Sequence, residues 1–94
     1  MRKLQSLPRV KLAALPTPLH ELPNLTKLLK GPKILVKRDD MSGLAFGGNK
    51  LRKLEYIMPD VLEQQADHMV ATAGFQSNWC TMVAASYVLA IRSK

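Results

Sequence analysis

The run Gly47-Gly48-Asn49-Lys50-Leu51-Arg52-Lys53-Leu54-Glu55-Tyr56 joins two glycines to the start of a helical pattern. Leu51, Leu54, Ile57, Met58, Val61 and Leu62 recur at helical spacing, which lays one apolar stripe along a helix. Pro59 falls inside the stripe and predicts a kink or a division into two helices. Lys50 therefore stands at a helix mouth, facing the positive end of the dipole, where an ammonium is disfavoured. A neutral amine is a nucleophile whose usual work is to form a Schiff base with a carbonyl. A solvated surface lysine in a basic chain is the plainer reading of the position alone.

Outward from this run, residues 1–19 read as extended or irregular, with Pro8, Pro16 and Pro18 disfavouring helix before each. Leu22, Leu25, Leu28 and Leu29 predict a short helix, with Asn24 as its N-cap and Gly31-Pro32 as its stop. Residues 33–37 form a brief apolar run that predicts a buried strand, and residues 41–48 a glycine-bearing loop. A second buried strand is predicted over residues 69–74, then a turn at Phe75-Gln76-Ser77-Asn78. Residues 79–91 read as an apolar helix capped by Ser77 or Asn78. Strands alternating with helices imply an α/β layer with parallel pairing and right-handed crossovers.

Both glycine-bearing turns, 47–50 and 74–78, lie between a predicted strand and a helix. In open α/β sheets, ligands bind where such turns gather beyond the strands. Gln76, Ser77 and Asn78 offer amide and hydroxyl donors beside free helix N–H groups, the equipment for holding a carboxylate. Simple N-capping would need only one of the three.

The composition narrows the function. The chain has 94 residues, 47% apolar and 22% charged, which suits one small globular unit over residues 1–94. One cysteine, Cys80, allows no internal disulfide and fits a reducing compartment. The longest apolar stretch, 82–91, falls well short of the roughly twenty residues that span a bilayer. The net charge of +7 raises a nucleic-acid surface, but aromatics are only 5% and no nucleic-acid motif is present. The expectation is no nucleic acid, no membrane and a cytoplasmic location. The first twenty residues lack acids, as organellar import signals do, but are poor in serine and arginine.

Thr17-Pro18-Leu19, Lys37-Arg38-Asp39-Asp40, the run 47–56 and Gln76-Ser77-Asn78 together resemble one enzyme family, in order and with natural spacing. It is the aminocyclopropane-carboxylate deaminase and D-cysteine desulfhydrase family of pyridoxal-phosphate enzymes, related to the tryptophan synthase β subunit. The resemblance runs from about residue 9 to about residue 90. The Gly-Gly-Asn-Lys run with its Arg-Lys-Leu-Glu sequel is its most specific part, whereas Thr-Pro-Leu is shared with cysteine and threonine synthases.

The resemblance implies that Lys50 carries pyridoxal 5'-phosphate as a Schiff base. It further implies that Ser77 and Asn78 contact the substrate carboxylate and the cofactor ring hydroxyl, Ser77 counting as catalytic. Asn49 would be a supporting cofactor contact, and no metal is implied. The implied fold is a partial three-layer α/β sandwich with parallel strands, the N-terminal part of a tryptophan synthase β-like (fold type II) enzyme. The implied reaction acts on a small amino acid and releases ammonia and a keto acid. It is α,β-elimination from D-cysteine, the favoured choice, or ring opening of aminocyclopropane-carboxylate. Relatives carry histidine or glutamine where this chain has Trp79, which removes a polar contact near the substrate.

The family's phosphate loop and active-site tyrosines lie downstream of the residues present. The expectation is therefore a truncated chain without turnover of its own, with a homodimer for a full-length form. The alternative from another class is a non-catalytic remnant that associates with a full-length paralogue.

Overall fold

The computed structural model describes residues 3–92. After a 3-10 turn at Leu4–Ser6, the elements are β1 (Leu19–Glu21), α1 (Pro23–Leu29), β2 (Leu35–Lys37), a 3-10 turn at Asp39–Met41, α2 (Lys50–Glu63) and α3 (Trp79–Arg92).

The strand pairing departs from expectation. β1 lies in a stretch read as irregular or as the helix approach, and it pairs antiparallel with β2, Leu19 opposite Lys37 and Glu21 opposite Leu35. The connection through α1 leaves and returns at the same end of the pair. Leu22 N–H donates to Ile34 C=O (2.9 Å), and Ile34 N–H to Thr26 Oγ1 (2.9 Å). That closure dictates the antiparallel sense. Residues 69–74, read as a buried strand, make no ladder among the described residues. Burial there still alternates, Met69 and Ala71 inward, Val70 and Thr72 outward, as a strand's would. A strand forms only where a partner edge lies alongside it, and β1 and β2 pair with each other alone. The layered parallel sheet is thus not formed among the described residues.

α1 begins differently from its reading too. Leu22, not Asn24, is the N-cap, because Pro23 occupies the first helical position with its φ already set and no N–H to satisfy. The stop falls as read: Lys30 turns left-handed (φ 50°) just before Gly31-Pro32.

α2 and α3 pack together to make the core. Leu51, Leu54 and Met58 on α2 meet Met82, Val83 and Ala90 on α3, with Ala13 laid across them. Burying each large side chain contributes about 1.5–3 kcal/mol of transfer free energy. Tyr87 Oη donates to Ala66 C=O (2.9 Å), fastening the end of α2 to α3. Among the described residues no helix is long and apolar enough to cross a membrane.

Pro59 does not divide α2, which runs continuously from Lys50 to Glu63. A proline in a helix leaves the carbonyl four residues earlier without its N–H. That carbonyl belongs to Glu55, and Val10 N–H donates to it instead (2.9 Å). The missing helix bond becomes an anchor for the N-terminal strap. The Glu55 side chain completes the anchor, although it lies on the apolar stripe and is fully buried. Its carboxylate accepts Arg9 Nε (2.7 Å) and the N–H groups of Leu12 (2.8 Å) and Ala13 (2.9 Å). Burial pushes the Glu55 carboxyl up, but the Ala13 and Leu12 N–H groups and Arg9 together hold it below its ordinary value. The Arg9 guanidinium also lies over the Tyr56 ring, 5.5 Å from its centre.

Candidate active site

Lys50 is the first residue of α2, and the two glycines before it are required by the backbone. Gly47 (φ +73°) and Gly48 (φ +118°) occupy the left-handed region. A Cβ on Gly47 would lie 2.1 Å from the Asp40 carbonyl oxygen, and one on Gly48 would lie 3.1 Å from Met82 Cε. The loop can therefore pass this close to the backbone of residue 40 only without a side chain at Gly47, while at Gly48 the positive φ is the stronger constraint. Asn49 holds the N-cap position but makes no side-chain cap bond, and its side chain is exposed.

Other groups hold the loop. Gly48 N–H donates to Asp39 C=O (2.8 Å) and to Ser42 Oγ (3.1 Å), while Ser42 Oγ donates to Gly48 C=O (3.2 Å). The Asp39 carboxylate accepts both Arg52 Nε and Nη2 at 2.9 Å, and Thr17 Oγ1 donates to it at 2.9 Å. Arg52 first, then Thr17, hold the Asp39 carboxyl down to about 2. Lys37 Nζ donates to the Thr17 carbonyl from the other side. Residues from three sequence motifs, 17–19, 37–40 and 47–56, thus meet in one polar brace.

The second turn is built as read. Ser77 N–H bonds Gly74 C=O (3.0 Å), and Ser77 Oγ accepts Trp79 N–H (3.2 Å) at the mouth of α3. Asn78 C=O accepts Met82 N–H (3.0 Å), the first full turn of that helix. Because its oxygen is accepting, the Ser77 hydroxyl keeps its own proton for an incoming acceptor.

A cleft of about 350 Å³ joins the two turns, lined by Lys50, Lys53, Thr72, Ala73, Ser77 and Trp79. Of the sequence-predicted site residues, Lys50 and Ser77 share this cleft. Asn49 and Asn78 stand beside it in the chain and are not among its lining residues. Other clefts of about 350–410 Å³ exist, so the choice rests on the chemistry of the lining. Among the described residues the Lys50 amine has no hydrogen bond or ion pair. No group of three or more metal-ligating side chains is found among them.

Sequence reasoning assigned no role to Asp39, Arg52 or Glu55, or to Lys53 and Thr72 in the cleft wall. Glu55 carried a visible signal, a charge at a core position of the stripe Leu51, Leu54, Met58. The Asp39–Arg52 pair carried none beyond lying within the quoted motifs.

A glycine-supported amine and a hydroxyl sit at the neighbouring mouths of α2 and α3, sharing one cleft. The chain belongs to the pyridoxal-phosphate dependent enzyme family, whose model matches residues 10–88. Among its relatives are 1-aminocyclopropane-1-carboxylate deaminase of Burkholderia multivorans, 52% identical over 84 residues, covering 87% of this chain and 25% of that protein. D-cysteine desulfhydrase of Salmonella paratyphi B is 44% identical over 85 residues, covering 90% of this chain and 26% of that protein. The crystal structure of an ACC deaminase homologue superposes with a TM-score of 0.63 at 45% identity, covering 68% of this chain and 19% of that one. The fold is thus that of the ACC deaminase type, and the chain spans about a quarter of the length of the curated relatives it matches.

Proposed function

We propose that these residues are the part of a pyridoxal-phosphate enzyme that carries the cofactor lysine and the substrate-carboxylate donors. The enzyme deaminates a small amino acid of the aminocyclopropane-carboxylate or D-cysteine kind, releasing ammonia and a keto acid. The observation that carries this reading is the single cleft shared by the unpaired Lys50 amine and Ser77.

The cleft offers what the cofactor's aldehyde group requires, a lysine amine with no hydrogen bond or ion pair among the described residues. Lys50 would hold it through its amine, with Asn49 and Asn78 as nearby polar contacts. Pyridoxal phosphate, when bound, supplies an electron sink for negative charge at the substrate Cα. Ser77 donates its hydroxyl proton to the substrate carboxylate and, with Asn78, orients it. The free N–H groups at the start of α3 favour the same negative charge. Lys53 adds a positive charge in the lining of the cleft, and the Trp79 ring forms part of the same wall.

The test treats the chain with pyridoxal phosphate, traps the bound form with borohydride and maps the label by mass spectrometry. Label concentrated on Lys50, and lost from the helix mouth in Lys50→Ala, is the expected result. Equal label on Lys50 and Lys53 would sink the assignment.

A further inference from the structure

Asp39 grips the chain on both sides of Lys50. Two residues before it, the Asp39 carbonyl takes Gly48 N–H (2.8 Å). Two residues after it, the Asp39 carboxylate takes both Arg52 nitrogens at 2.9 Å. Thr17, only 4% exposed, closes the arrangement, donating to Asp39 and accepting Arg52 Nη2 (3.1 Å).

The helix mouth needs such a grip. Its N-cap side chain makes no cap bond, and two glycines, the residues with most backbone freedom, precede it. The first N–H groups of any helix lack internal partners, so an uncapped start frays. A bidentate arginine–carboxylate pair is directional as well as strong, unlike a flexible surface ion pair. We propose that Asp39 is a positioning residue for Lys50, bracketing it through Gly48 and Arg52 so that its amine is presented to the cleft. The inference rests on reading Lys50 as the cofactor lysine.

Hydrogen–deuterium exchange by NMR on the 94-residue chain tests the bracket without cofactor, with the Val83 amide of α3 as the reference for global stability. In Asp39→Asn, Gly48 exchange relative to Val83 should rise about tenfold or more, the range of a lost charge-assisted bond. Asp39→Glu, which keeps a carboxylate, should restore it. The second readout is the share of borohydride-trapped pyridoxal label on Lys50 against Lys53, which should fall in Asp39→Asn and recover in Asp39→Glu.

Gly48 exchange that keeps pace with Val83 overturns the bracket. Loosening of Gly48 with an unchanged Lys50 share overturns the positioning role and leaves a structural brace. If Asp39→Asn loosens α3 as well, Arg52→Lys decides, since it keeps the charge and loses the fork. Selective loosening of Gly48 in that variant supports the bracket, and parallel loosening overturns it. An unaltered chain that labels Lys50 no more than Lys53 counts against the cofactor reading alone, and Gly48 exchange then decides the bracket.

Discussion

Replacing Glu55 tests the physical account of the strap. Its carboxylate is wholly buried and serves three partners, Arg9 and the N–H groups of Leu12 and Ala13. In Glu55→Ala, Arg9 is exposed enough to regain water (its side chain is 46% exposed), so little is lost there. Ala13 N–H is buried and Leu12 half-buried, and an orphaned buried donor costs about 1–3 kcal/mol. Partial water entry relieves some of this, which leaves an expected loss of about 2–4 kcal/mol. Glu55→Gln keeps the shape and one carbonyl oxygen for the two N–H groups, so its loss should be about 1–2 kcal/mol. Urea unfolding followed by circular dichroism reads both as shifts of the midpoint. Equal losses in the two variants, or none in either, would refute the claim that the carboxylate works mainly through the strap's N–H groups.

The same pair of variants carries a pH signature. The folded Glu55 and Asp39 carboxyls both lie below their ordinary values of 4.5 and 3.8, Asp39 at about 2. A depressed carboxyl adds stability that is full above the ordinary value and disappears as pH falls through the folded one. Stability should therefore drop as pH falls from about 5 toward 2. Glu55→Gln should flatten that slope, and Asp39 should account for what is left at the lowest pH.

Three further outcomes follow from particular contacts. Gly47→Ala should lower stability by about 2 kcal/mol or more in urea unfolding, through a positive φ and a 2.1 Å clash with the Asp40 carbonyl. Ser86 Oγ is buried without a hydrogen-bond partner among the described residues, so Ser86→Ala should be neutral or stabilising by up to about 1 kcal/mol in the same assay. Val10→Pro removes the N–H that Glu55 C=O accepts, and should cost about 1 kcal/mol less in a Pro59→Ala background, where a helix N–H returns to that carbonyl. A double-mutant cycle measures the difference, and strict additivity would deny that Pro59 creates the anchor.

Local sequence was enough for much of this molecule. The stripe Leu51, Leu54 and Met58 and the apolar stretch after Asn78 announce α2 and α3, because helical periodicity is written within each segment. The glycine pair announced the tight turn before Lys50, and Ser77 announced the mouth of α3. The motif run carried the family, which the match over residues 10–88 bears out. Partnerships between distant segments are another matter, because nothing in one segment names its neighbour. That β1 and β2 pair antiparallel depends on the closure between Leu22 and Ile34. That residues 69–74 stay unpaired among the described residues depends on no other segment lying alongside them, which no alternation of side chains can reveal. Pro59 read alone predicts a kink or a division, yet the helix runs undivided while Val10, forty-nine residues away, uses the carbonyl that proline leaves free. Asp39 and Arg52 are ordinary charges in the sequence, and only their approach across thirteen residues, with Thr17 between them, makes a brace around Lys50.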